Sequence, residues 1–247
     1  MLDRSVVITG SASGMGAASA REFAEAGAKV TIVDMNETLS QQVAAEIGAE
    51  NPIIGDISDS HFCNKVIEST IERYGSIDVL VNCAGTILRA NSEDTTDADW
   101  ERVMSTNVNG VFFMSRAAIK PMKKRGKGVI INFGSIWGSV GSPGVVAYCA
   151  SKGAVHQITR AMALDHARDG IRINAVCPGE VNTPMLSSGR KSPLTQKDLQ
   201  KLADETIPMA RLAEPKEIAK VVVFLASDDS SYMTGSMVTI DAGFTAR

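Results

Sequence analysis

Short apolar runs alternate with longer stretches whose apolar residues recur every three to four positions, and this alternation carries through most of the chain. The first run is Ser5-Val6-Val7-Ile8-Thr9, followed by an Ala- and Glu-rich helical pattern from about Gly14 to Ala26, closed by Gly27. Further strand-like runs are Val30–Val33, Pro52–Ile54, Ile77–Val81, Gly128–Phe133, Ile171–Val176 and Met237–Ile240. Between them the pattern predicts helices over Glu37–Ile47, Asp59–Tyr74, Asp97–Lys120, Ala147–Arg168 and Pro215–Ala226. Several strand runs are apolar almost continuously, which suits strands covered on both faces. Repeated strand–helix units of this kind imply an α/β fold, a parallel sheet wrapped by helices through right-handed crossovers. An eight-fold barrel is the competing architecture. One stretch departs from the pattern: Met185–Thr206 is polar and reads as a long loop plus a short helix, a lid over an active site. No linker or repeat marks a second domain, so residues 1–247 are expected to form one unit.

The chemistry concentrates at the carboxyl ends of the strand runs. The first turn, Thr9-Gly10-Ser11-Ala12-Ser13-Gly14-Met15-Gly16, spaces its glycines G-x-x-x-G-x-G rather than G-x-G-x-x-G. Either spacing serves a tight strand exit, a backbone close to a pyrophosphate and a helix N-terminus with free N–H groups. Asp34 ends the second run, 24 residues after Gly10, where a carboxylate meets adenosine ribose hydroxyls and repels a 2′-phosphate. Ser13 and Met35 add no cation there, so NAD is expected rather than NADP. The plainer alternative has Asp34 capping the helix that begins near Glu37. Asp56 ends the third run, where it could accept from an adenine amino group, with Ile57 beside it. Asn82-Cys83-Ala84-Gly85 ends the fourth. The glycine turn and Asp34 favour the open, doubly wound sheet over the barrel.

With Asn107, Ser135, Tyr148-Cys149-Ala150-Ser151-Lys152 and Pro178-Gly179 added, the chain resembles the short-chain dehydrogenase/reductase family over essentially its whole length. The resemblance implies a Rossmann fold and a catalytic set of Asn107, Ser135, Tyr148 and Lys152. It also implies that Lys152 holds the nicotinamide ribose, that Asn107 holds a water linking Lys152 to solvent, and that Val181 and Thr183 bind the carboxamide. The residues carry part of this argument themselves. Tyr148 and Lys152 lie four apart and share a helix face. A phenol with a pKa of about 10 is a poor base, and a neighbouring ammonium together with an oxidised nicotinamide would pull it down. Ser135 can hydrogen-bond the substrate oxygen as charge develops. Ser135 is not a hydrolase nucleophile, because Phe133 and Trp137 stand where G-x-S-x-G needs glycines. Two departures from the family pattern stand out: Cys83 replaces a common second asparagine, and Asp241-Ala242-Gly243 replaces a frequent D-G-G.

Composition narrows the partners. The 247 residues are 44% hydrophobic and carry 28 acidic against 25 basic side chains, a net charge of −3, with no long basic run. Nucleic acid is therefore not an expected partner, and with aromatics at 5% there is little to stack bases on. No apolar segment reaches the ~18 residues of a membrane span, and the first residues lack a signal-peptide layout. The four cysteines have no metal spacing and read as reduced, space-filling thiols, so a cytoplasmic protein without a metal is expected. His156, four residues beyond Lys152, is expected on a helix surface or a subunit interface. Trp137 would wall the substrate pocket. Arg89, Arg190 and Lys191 are either solvated loop charges or receptors for an anionic group on the substrate. A small-molecule substrate is implied, and by resemblance a homo-oligomer, dimer or tetramer. Three functions stay open: an NAD-dependent dehydrogenase of a polar secondary alcohol, a 3-oxoacyl thioester reductase, and a cofactor-binding regulatory protein.

Overall fold

Consecutive side chains of a strand point to opposite faces, so an unbroken apolar run requires cover on both. β1 (Ser5–Thr9) is buried at every position and supplies both faces. In the computed structural model, which describes residues 1–190 and 192–246, Val6 and Ile8 pack with α1 (Gly14–Glu25) and α8 (Pro215–Ala226) through Ala17, Phe23, Ile218 and Val222. Val7 points the other way, against α3 (Ser60–Tyr74) and α5 (Gly110–Arg125) through Cys63, Val66, Met114 and Ala118.

The remaining strands are β2 (Lys29–Asp34), β3 (Ile53–Ile54), β4 (Val79–Asn82), β5 (Gly128–Phe133), β6 (Ile171–Pro178) and β7 (Met237–Ile240). All seven pair in parallel in the order β3-β2-β1-β4-β5-β6-β7. The sheet is open, with β3 and β7 as edges, so the barrel is excluded. The order in which successive strands are laid down reverses between β1 and β4, the position where open α/β sheets leave a crevice at the strand ends. The remaining helices are α2 (Glu37–Ile47), α4 (Asp97–Met104), α6 (Val146–His166) and α7 (Gln196–Thr206).

Two differences from the sequence pattern bear on the site. The helix expected over Asp97–Lys120 is broken by a five-residue π-helical turn, Ser105–Asn109, before α5 carries on through Pro121 to Arg125. The turn brings Asn107 fully inside, and Gly110 follows it because a Cβ there would strike the Ile57 side chain at 2.5 Å. Ile77 and Asp78 precede β4 rather than belonging to it. Asp78 instead accepts from the Ser5 N–H and hydroxyl and pairs with Arg125; burial is the largest single effect and raises its carboxyl, but those contacts together outweigh it and hold the group below its usual range. The polar stretch 185–206 forms a short 3-10 turn, Pro184–Leu186, and then α7, whose first turn is closed by a reciprocal Thr195–Asp198 capping box.

Candidate active site

The turn after β1 is built by close backbone approach. Gly10 has φ +68°, and a Cβ on it would lie 2.6 Å from the Ala84 Cα. A Cβ on Gly16 would run into the Gly10 carbonyl. The Thr9 hydroxyl accepts from the Cys83 and Ala84 N–H groups at 3.2 Å each, which locks the ends of β1 and β4 together. Ser13 sits at the N-cap of α1 without making a side-chain cap, so the first-turn amides face the crevice without a side-chain partner. Asp34 accepts from the Ala12 N–H and the Asn36 N–H, both at 3.0 Å. The cap of α2 is Asn36, not Asp34.

These parts line one groove of about 530 Å³ across the strand ends. Gly10, Ser13, Gly14, Met15 and Gly16 form one wall, Asp34, Met35, Asp56 and Ile57 a second, and Ala84, Gly85 and Thr183 a third. Thr86, expected with Arg89 in the substrate pocket, lines this groove instead, and Arg102 and Thr106 line it without having been expected; Arg102 is held by Asp99 at 2.8 Å. Asn82 does not reach the groove. Its amide donates to Ser115 (3.0 Å) and to Asn132 (2.9 Å), which in turn donates to Thr159 (2.9 Å), a buried network tying β4, β5, α5 and α6. The uncapped helix, the glycine cradle and the carboxylate at the second strand's end together fit a dinucleotide.

A second cavity of about 460 Å³ adjoins the groove, sharing Met15, Thr183 and Met185. Ser135, Tyr148, Pro178, Gly179 and Val181 line it, as do Trp137 and Phe244, whose rings meet edge to face at 5.3 Å. Ser135 follows β5 as the cap of the turn Ile136–Gly138, where its hydroxyl accepts from the Trp137 N–H at 3.2 Å, and it acts on the Tyr148 phenol across the cavity wall. Tyr148 opens α6 and is 8% exposed. Burial pushes its phenol up to about 12, opposed chiefly by the neighbouring Ser135 hydroxyl. Lys152, one turn later and 4% exposed, donates to the Phe133 carbonyl at 2.6 Å, and its Nζ lies 5.5 Å from the Tyr148 ring centroid. Burial lowers the ammonium to about 8. The expected pull of Lys152 on the phenol is therefore not the dominant effect in the chain itself, where desolvation of both groups wins.

Asn107 accepts from the Thr86 N–H and donates to the Thr86 carbonyl, both at 2.8 Å, and donates to the Ser151 hydroxyl at 3.0 Å. Its side chain is thus committed to joining the loop after β4 to α6. His156 is the clearest correction: it is neither on a surface nor at an edge but 2% exposed, behind Ser135. Its Nε2 lies 3.3 Å from the Cys177 thiol and its Nδ1 3.5 Å from the Ser139 hydroxyl. Burial lowers its pKa, as it raises the Cys177 thiol to about 11, so a neutral pair backs the serine turn. A Cβ on Gly134 or Gly138 would collide with the imidazole at 2.5 or 2.6 Å, so those two glycines were the available signal.

Arg89 and Arg190 reach the substrate cavity but are not freely solvated. Arg89 donates to the carbonyls of Leu186 (3.2 Å) and Ser188 (3.0 Å), and Arg190 to Leu186 (2.8 Å), so both hold down the segment that closes the cavity. Lys191 lies outside the described residues. Among the described residues no cluster of His, Cys, Asp and Glu could hold a metal, and no helix is long and apolar enough to cross a membrane.

Comparison with known proteins matches this arrangement. A family model described as "Enoyl-(Acyl carrier protein) reductase" matches residues 10–245. A short-chain type dehydrogenase/reductase from Mycobacterium marinum superposes with a TM-score of 0.92 at 33% identity, covering 100% of this chain and 97% of the other. The chain belongs to the short-chain dehydrogenase/reductase family. Meso-2,3-butanediol dehydrogenase from Serratia marcescens is 40% identical over 243 residues, 98% of this chain and 94% of that one. Cyclopentanol dehydrogenase from a Comamonas species is 38% identical over 249 residues, 99% and 98% of the two chains. Membership makes this protein an oxidoreductase that works with a nicotinamide cofactor.

Proposed function

We propose that this family member is an NAD-dependent dehydrogenase of a secondary alcohol on a polar small molecule, with Tyr148 as general acid/base. The observation that carries the reading is the junction of the two cavities, with Tyr148 and Ser135 together in the wall on the substrate side. At the far end of the groove, the Asp34 carboxylate supports NAD over NADP, and this counts against a 3-oxoacyl thioester reductase drawing on NADPH. The names of the butanediol and cyclopentanol relatives support a CH–OH substrate. When bound, the nicotinamide supplies the hydride acceptor or donor.

The chain's own residues handle the proton. As its phenolate, the form that the Lys152 ammonium and the positive charge of an oxidised nicotinamide would favour, Tyr148 takes the proton of the substrate hydroxyl and becomes the neutral phenol, and Ser135 donates to the same oxygen as carbonyl character develops. Lys152 would hold the nicotinamide ribose and place positive charge near the phenol. Asn107 fixes the loop after β4 against α6, and Val181 and Thr183 would hold the carboxamide. Trp137 and Phe244 exclude water from the carbinol. Exposed Trp100, Phe112, Val146 and Leu164 on α4, α5 and α6 support the expectation of a homo-oligomer, dimer or tetramer.

The test is NADH formation with secondary alcohols. Tyr148→Phe is expected to lower kcat by at least 100-fold, the scale of general acid–base catalysis, with the KM for NAD changed little. Full activity in that variant, or NADP reduced as well as NAD, would falsify the corresponding half of the proposal.

A further inference from the structure

Glu180, in Pro178-Gly179-Glu180-Val181, is the one carboxylate in the wall of the substrate cavity among the described residues, and the proton-transfer scheme makes no use of it. Its backbone is pinned on each side. The Gly179 N–H donates to the Ile240 carbonyl (3.0 Å), the Ala213 N–H to the Glu180 carbonyl (3.1 Å), and the Asn182 N–H to the Ala213 carbonyl (2.8 Å). The side chain is held in place by its backbone rather than by partners of its own. No described residue donates a hydrogen bond or forms an ion pair with the carboxylate.

Burial raises its pKa, while Arg89 and Arg190 oppose that at longer range, their guanidinium groups being turned to the carbonyls of Leu186 and Ser188. Glu180 also acts on Tyr148, raising the phenol, so the carboxylate stands within electrostatic reach of the reacting atom. An ionised carboxylate only accepts hydrogen bonds, and a half-buried one without donors costs free energy until a ligand supplies them. The positive charge of Arg89 and Arg190 in the same cavity wall disfavours a cationic donor such as an ammonium. A neutral hydroxyl answers both conditions.

We infer that Glu180 is a specificity-determining residue that accepts a hydrogen bond from a second hydroxyl of the substrate, making the preferred substrate class diols and polyols rather than simple alcohols. This rests on the dehydrogenase reading of the same site. The experiment compares three four-carbon probes, 2,3-butanediol, 2-butanol and 3-hydroxybutyrate, by initial NADH formation with the wild type, Glu180→Leu and Glu180→Gln. The wild type is expected to favour the diol over 2-butanol by about 10- to 100-fold in kcat/KM, the range of a hydrogen bond to a charged group. Glu180→Leu should bring that ratio to within about threefold of unity, and Glu180→Gln, which keeps an acceptor oxygen, should restore part of it.

A ratio near one in the wild type, or one that survives Glu180→Leu, overturns the inference while leaving the dehydrogenase reading intact. Preference for 3-hydroxybutyrate over both alcohols also overturns it, since the arginines would then select the substrate. No NAD reduction with any secondary alcohol overturns the dehydrogenase reading and this inference with it.

Discussion

Gly10→Ala tests how closely the cofactor turn depends on backbone contact, and Gly48→Ala supplies the reference. Both glycines have nearly the same left-handed φ, +68° and +65°, but a Cβ on Gly48 would meet nothing within 4 Å. Gly48→Ala therefore isolates the conformational cost, about 1 kcal/mol. At Gly10 the added carbon would lie 2.6 Å from the Ala84 Cα and 2.7 Å from its nitrogen, against the 3.5–4.0 Å that carbon contacts prefer. The ends of β1 and β4 must then part by roughly 1 Å, since both obstacles are backbone. That movement stretches the two bonds from the Cys83 and Ala84 N–H groups to the Thr9 hydroxyl, each already 3.2 Å. Overpacking costs about 1–3 kcal/mol and each lost hydrogen bond about 1 kcal/mol, so Gly10→Ala should exceed Gly48→Ala by at least ~2 kcal/mol. Urea unfolding followed by tryptophan fluorescence measures the difference. The same displacement should raise the KM for NAD at least tenfold, while Gly48→Ala leaves it unchanged. Equal destabilisation by the two variants, within about 0.5 kcal/mol, would refute the close-contact reasoning.

Two further outcomes follow from the groups around Tyr148. Burial lowers the Lys152 ammonium to about 8 in the folded chain against 10.5 unfolded, so at this group the unfolded chain binds more protons between those values and the contribution of Lys152 to stability rises with pH across that window. Lys152→Met should abolish the rise and be the more stable protein below pH 8, by up to ~3 kcal/mol, with the gap closing above about pH 10.5; thermal melts at pH 7 and 10.5 measure it, and a pH-independent gap counts against the buried ammonium as its source. His156→Leu removes the polar partner of Cys177 and Ser139 from the ring packed against Gly134 and Gly138 on either side of Ser135, and is expected to lower kcat several-fold with KM for NAD nearly constant; a change in KM alone would mean that the imidazole does not position the serine.

The strands were legible because their signal is local: runs such as Val6-Val7-Ile8 and Val129-Ile130-Ile131 are apolar at every step, and only a sheet covered on both faces buries them. The glycine turn was legible for a similar reason, since backbone approach excludes side chains wherever it occurs. The π-helical turn at Ser105–Asn109 was not, because the helical period on either side conceals a one-residue change in hydrogen-bond register. His156 was misassigned because a lone histidine on a helix carries no mark of what faces it. Only the packed chain brings Gly134, Gly138 and Cys177 around its ring.

Sequence alone determined the parallel α/β architecture, the cofactor turn and the order in which Asn107, Ser135, Tyr148 and Lys152 occur, because periodicity and residue chemistry are properties of short stretches. Tertiary structure decided what each group faces. It aimed Lys152 at the Phe133 carbonyl, spent Asn107 on Thr86 and Ser151, turned Arg89 and Arg190 onto the cavity's own covering segment, and left Glu180 inside the cavity without a donor. Those outcomes depend on desolvation and on partners far away in the chain, and neither is written in the neighbouring residues.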